Sequence, residues 1–268
     1  MSILSLGFMQ RAFLAGCLVG TLCALVGVFV VLKRLSFMGA GISHAAFGGV
    51  ALGYVLGINP TLSAFFFCIL ASLGIAVLSR HRRLKEDTLI GIVFASTMAL
   101  GAFLIGVGRI RNVDLFGYLF GNILAITRED LLFALVTTSV VLVLLFAFYK
   151  EFLIATLDPE GGKASGVPTE AFSYLLVVLV AAVVVVTMRL VGIVLASALL
   201  VLPAATALQR ARTVPQVMLF ALFDGIAISL GGLFLAYLLD APAGATIVLI
   251  GTGVFLGVSI SSSFPRRG

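Results

Sequence analysis

The chain is short of charge. Only 10% of its 268 residues are Asp, Glu, Lys or Arg, while 62% are hydrophobic. Soluble domains carry about 25% charged and about 45–50% apolar residues. A globule of this length has too much surface to leave so few charges on it. The mean hydropathy of +1.26 therefore puts the apolar surplus against lipid. Cysteine is scarce too: three residues exclude a disulfide scaffold. Two histidines exclude a His-rich metal store. The net charge of +6 does not call for nucleic acid. In a membrane protein the placement of Lys and Arg matters more than their sum.

What is present is a series of long apolar runs. A spanning helix needs about 20 mostly apolar residues. About nine such runs occur, near 12–32, 36–56, 60–79, 88–108, 131–149, 170–188, 190–208, 216–238 and 245–263. Membrane strands would alternate apolar and polar positions. Here whole segments are apolar, as in Val177–Val186. The expected fold is all-α: a polytopic transmembrane helix bundle, one transmembrane domain over 1–268.

The basic residues orient it. With the 33–34 turn on the cytoplasmic side, that side holds Lys33, Arg34, Arg80, Arg82, Arg83, Lys85, Lys150, Lys163, Arg210, Arg212, Arg266 and Arg267. Only Arg11, Arg109, Arg111, Arg128 and Arg189 fall outside. The positive-inside rule then sets the N-terminus outside and the C-terminus in the cytoplasm. Segment 115–127 is apolar but too short to span. It is expected to be an interfacial or re-entrant helix on the outer side, with a tilted or broken span as the alternative. The first apolar run is expected to be a transmembrane helix and not a signal peptide. The lipoprotein-like box Leu14-Ala15-Gly16-Cys17 precedes its hydrophobic segment, the wrong order for cleavage.

Small residues recur every fourth position in three places: Gly16, Gly20 and Ala24; Gly49, Gly53 and Gly57; Gly253, Gly257 and Ser261. That spacing lines one helix face, where backbones can approach closely. The stripes speak for helix packing and say nothing about substrate.

Few ionisable groups lie within the runs. Ten of the 11 acidic residues fall in loops or at run ends, and Asp224 alone lies well inside one. His81 sits in a basic loop, while His44 lies inside the second run. His44 and Asp224 are each about 12 Å from the cytoplasmic end at 1.5 Å per residue. In a hydrocarbon core about 30 Å thick this is near the middle. Ionisable groups there are costly and suggest function. The plainer alternative is a neutral His hydrogen-bonded to a neighbouring helix, and an Asp bonded to a Ser or a backbone group. Imidazole is a good ligand for zinc and other transition metals, with Ser43 and Met38 as weak neighbours. Cys17, Cys23 and Cys68 read as small core residues. No CxxC or HExxH pattern occurs, so a tight structural zinc site is not expected.

One loop has structure of its own. Gly161-Gly162-Lys163 imitates the end of a phosphate loop, but Leu157 and Ala164 break the motif, so no ATP site is expected. The segment reads instead as a short helix over Pro159–Ser165. Asp158 caps its start, Pro159 suits the first position, and Glu160 suits the positive end of the dipole. Gly166 can close it in a left-handed conformation, and Pro168 stops continuation. It is either a connecting turn or a rigid peg for a partner protein.

At this point the chain resembles a known family, the membrane permeases of metal-importing (zinc and manganese uptake) ABC transporters. The resemblance rests on several stretches. They are Leu35–Ala45 with its Ser43-His44 step, Glu86–Ile92, and Tyr118–Leu124. Further on come Asp158-Pro159-Glu160 with Ala164 and Gly166-Val167, Val191-Gly192 leading into Leu200–Ala207, and Gly244–Val248. Their order and spacing together are specific. The resemblance implies a type II-like importer permease in the cytoplasmic membrane, built as a homodimer around a central path. It implies cytoplasmic ABC ATPase subunits that bind the ATP, and an extracytoplasmic metal-binding protein that delivers the ion. Asp158, Pro159, Glu160, Ala164 and Gly166 would belong to a coupling helix, near 158–166, that docks on the ATPase. No tightly bound cofactor and no catalytic residue are implied, only a transported divalent metal (zinc, manganese or iron), and a His-centred site tilts the choice toward zinc.

The sequence departs from the family at Ala40, where many members carry Asp. An Asp there would share a helix face with His44 and hold a metal with it. Asp224 is the expected replacement. The expected mechanism is alternating access driven by ATP binding on the partner. Three other readings are weighed against it. An ABC permease for a metal-chelate or vitamin would share the architecture. An ion-coupled secondary transporter should show repeats with broken helices and more buried charge. A membrane enzyme would need a cluster of nucleophile, base and metal ligands, and none is seen.

Overall fold

Apolar segments without alternation leave the backbone one way to satisfy its polar groups in lipid, and that way is the helix. The computed structural model describes residues 7–81, 86–108, 121 and 126–263. Among them are eleven helices: α1 (Gly7–Leu32), α2 (Ser36–Leu56), α3 (Pro60–His81), α4 (Glu86–Val107), α5 (Arg128–Ala147), α6 (Tyr149–Leu157), α7 (Pro159–Ala164), α8 (Thr169–Val191), α9 (Ile193–Leu208), α10 (Val214–Leu239) and α11 (Ala243–Ser263). No strand occurs among the described residues. Eight of the helices are long and apolar enough to cross a membrane. The run 190–208 is realised differently from the other eight. Its first residues extend α8, Gly192 breaks the chain at φ +92°, and α9 is only 16 residues long. Most of segment 115–127 lies outside the described residues, as do Tyr118–Phe120 and Asn122–Leu124 of the family pattern.

The helix ends follow from local chemistry. Gly57, at φ +67°, closes α2 in the left-handed region. Asn59 then accepts from the amides of Thr61 and Leu62 to start α3. Thr127 and Asp130 form a reciprocal capping box at the start of α5. The fifth run stops at Ala147, earlier than its hydropathy suggests. Phe148 leaves helical geometry, and the chain restarts as α6.

Depth in the bundle varies strongly. Some 72% of the α1 window and 67% of the α8 window are buried, against 17% for α4 and 22% for α11. So α1 and α8 form the centre, with α9 and α10 against α1, and α4 and α11 on the rim. Two of the three small-residue stripes are packing seams. A Cβ on Gly20 would lie 2.6 Å from the Gly225 carbonyl oxygen of α10. A Cβ on Gly49 would lie 2.7 Å from Ala64 of α3. The third stripe differs, because Gly253 and Gly257 face open space. The helices alternate in direction. One end, called near below, holds the 33–35 turn, the start of α4, and α6 and α7. The far end holds Asn59, Asp130, Arg189 and Asp240.

Candidate functional site

His44 stands on α2, where it faces α4. Its ring meets Phe94 edge-on with centroids 4.5 Å apart. Its Nδ1 is buried and has no hydrogen-bond partner among the described residues, and the same holds for the hydroxyl of adjacent Ser43. Such orphaned groups are uncommon and invite a functional explanation. One turn nearer the end, Ala40 opens onto a cavity of about 380 Å³ whose other walls include Phe37, Gly41, Asp87, Ile90 and Phe94. Asp87 is the acidic group of that lining. No oxygen ligand stands where Ala40 does.

Asp224 is placed otherwise. It lies on α10, which packs on α1, α9 and α11, whereas α2 packs on α3, α4, α8 and α9. Its carboxylate is paired with Arg210, which reaches in from beyond the end of α9. The Arg210 guanidinium also lies over the Phe220 ring, 5.6 Å from its centroid. No hydrogen bond or ion pair among the described residues joins His44 to Asp224. No group of three or more His, Cys, Asp and Glu suited to a metal occurs among the described residues either. Cys23 and Cys68 are buried, and Cys23 sits 3.3 Å from the Thr187 hydroxyl as a packing partner.

The short helix is built as its residues suggest. α7 runs Pro159–Ala164 with Pro159 in its first turn, and Asp158 Oδ1 accepts from the Gly161 amide at 3.0 Å. Gly166 follows at φ +81°. Gly162 is buried, and a Cβ there would run into Ile154 of α6 and the Thr169 methyl of α8. The Thr169 hydroxyl donates to the Pro159 carbonyl at 3.2 Å. Lys163 and Glu170 pair at 2.5 Å, but both are more than half exposed, so that bond contributes little. Pro159, Glu160 and Ala164 are exposed, so α7 presents an outer face while its inner face is clamped. Asp158→Ala should cost about 1 kcal/mol of helix stability. Amide exchange is expected to quicken over α7 and leave α8 unchanged.

One constellation has no signal in hydropathy. At the far end Asp130 of α5 is 8% exposed and ion-paired with Arg189 of α8. Asp130 also accepts from the Thr127 amide at 3.0 Å and hydroxyl at 2.7 Å. Arg189 donates to the Thr61 hydroxyl of α3 at 2.8 Å. Three helix ends meet in one polar knot. The Thr127-x-x-Asp130 spacing of a capping box foretells the Thr half of it; the Arg half is purely tertiary.

A model of the ABC 3 transport family matches residues 5–262 of this chain. The chain belongs to that family. It is 36% identical over 253 residues to a manganese transport system membrane protein, MntC, of Halalkalibacterium halodurans, covering 94% of this chain and 87% of that one. It is 38% identical over 249 residues to the manganese import system permease protein ScaB of Streptococcus gordonii, covering 93% and 89%. Among solved structures it superposes on PsaBC from Streptococcus pneumoniae, in complex with a Fab, with a TM-score of 0.84. That match has 38% identity and covers 94% of this chain and 91% of the other. As a member of the ABC 3 transport family the chain is a multi-pass permease of the cytoplasmic membrane. The ATPase of such a transporter is a partner subunit, so this subunit carries transport and not catalysis. Membership also removes the secondary-transporter alternative.

Proposed function

We propose that two copies of this chain form the membrane path of an ATP-driven importer for divalent transition-metal ions. The observation that carries this reading is its end-to-end relation to permeases named for manganese import. The near end faces the cytoplasm, as the distribution of Lys and Arg favours. There α7 offers its exposed face to an ABC ATPase, while an extracytoplasmic metal-binding protein delivers the ion at the far end. ATP binding on the partner then drives alternating access.

His44 is the pathway residue. Its unpartnered, buried imidazole nitrogen can take a metal in passing. Because Ala40 supplies no carboxylate, the site is weak, which suits a conduit that must release what it binds. Asp224 joins the path only as far as Arg210 releases it. Between cargoes, the relatives' names favour manganese, while a lone imidazole favours zinc over a metal that prefers oxygen ligands. Uptake of manganese and of zinc into liposomes holding permease, ATPase and binding protein decides between them. ATP-dependent entry of either ion is expected, and entry of neither, or of a metal chelate only, rejects the proposal. His44→Ala should lower uptake by roughly tenfold or more, judged from the cost of losing metal-site groups. Unchanged uptake would make His44 a packing residue.

A further inference from the structure

Lys33 stands in the turn between α1 and α2, and that turn is rigid. Its own amide bonds to the Phe29 carbonyl at 3.0 Å, and the Leu35 amide bonds to the Val30 carbonyl at 2.9 Å. Between them Arg34 takes a left-handed conformation at φ +60°. The Lys33 ammonium donates to the Ser173 hydroxyl of α8 at 2.5 Å. Ser173 Oγ lies 2.9 Å from the Thr169 carbonyl. Thr169 in turn donates through its hydroxyl to Pro159, the first residue of α7. A polar chain, carried across Thr169 by that residue's own covalent bonds, therefore runs from α7 to the turn that starts α2, the helix bearing His44.

We propose that Lys33 is a positioning residue that carries movement of α7 into α2 through Ser173 and Thr169. The inference rests on the transport function proposed above. The packing around the chain supports it. A cavity of about 180 Å³ lies at this junction, lined by Lys33, Met38, Glu86, Pro159 and Ser173 among others. Close-packed interiors transmit displacement through every contact. Here the space between α7 and the starts of α2 and α4 is partly empty, so the Lys33–Ser173 bond takes a larger share of the mechanical linkage. The turn it pulls on is fixed at both ends by backbone bonds. A displacement of Ser173 is therefore passed to α2 and not absorbed in a loose loop.

A second role for Lys33 is a charge at the membrane boundary. Ser173→Ala separates the two roles, since it keeps the charge and removes the link. The test uses the whole transporter in liposomes, with manganese as the probe, and reads ions taken up per ATP hydrolysed. Ser173→Ala and Lys33→Met should each lower that ratio about three- to tenfold, and Lys33→Arg should restore most of it. The double variant should be no worse than the worse single one, because both break one link. An unchanged ratio in both single variants overturns the proposal. So does a parallel fall of uptake and hydrolysis at constant ratio. If Lys33→Met does not assemble with its partners, Ser173→Ala decides alone. A wild-type transporter with no ATP-driven metal uptake would fail the proposed function itself. A wild type that transports beside unaffected variants would remove only the relay.

Discussion

Asp130→Ala is expected to destabilise the protein by about 3 kcal/mol, the low end of the cost of breaking a buried ion pair. The low end applies because Arg189 is 37% exposed and can turn partly to solvent. The loss has two parts. Arg189 keeps its bond to Thr61 but loses its counter-charge, and Thr127 loses the carboxylate that accepts both its amide and its hydroxyl. Three helix ends loosen together, since α3, α5 and α8 meet at this point. A fall of roughly 6–10 °C in the melting midpoint of the purified permease should report it. Asp130→Asn should be milder, because an amide oxygen still accepts from Thr127. Arg189→Ala should be as severe as Asp130→Ala, since Asp130 is the more buried partner. An Asp130→Ala protein that melts with the wild type would mean that the pair is ornamental.

Gly27→Val should be at least as damaging. Gly27 sits on α1 against the backbone of α9, and a Cβ there would overlap the Leu200 carbonyl oxygen. No side-chain rotation relieves a clash with backbone, so α1 and α9 must separate. Overpacking in a filled interior costs about 1–3 kcal/mol and sometimes more. A backbone clash at the most buried helix of the bundle belongs at the upper end. The expected result is a steep loss of monodisperse permease on size exclusion after extraction. Gly253→Val is the matched control, since nothing lies within 4 Å of a Cβ at that position. Equal yields of the two variants would refute the close approach of α1 and α9.

Much of this architecture can be read from residues alone, because lipid imposes few options. Continuous apolar runs must be helices, so the order of the spans follows from hydropathy. Asp158, Pro159 and Gly166 act through local backbone chemistry, so the ends of α7 are legible too. Tertiary facts are not. Gly20 and Gly253 look alike in a four-residue stripe, yet one touches the backbone of α10 and the other touches nothing. Gly27 matters more than either and belongs to no stripe. Asp224 looks like a solitary buried acid, but Arg210 reaches forward from the preceding turn to pair with it. That contact depends on the bend after α9, which hydropathy does not encode. His44 is singled out by rarity, but its orientation toward α4 comes only from packing.

The brevity of α9 has a consequence for how its end is covered. Sixteen residues rise about 24 Å, some 6 Å less than an average hydrocarbon core. The break at Gly192 is met by protein, since a Cβ on Gly121 would lie 2.4 Å from the Val191 carbonyl carbon. No residue of α9 is exposed, so neighbouring helices and not lipid make up for its short length. Irregular backbone at such depth is tolerated only under protein cover, so packing and not its own length completes this span.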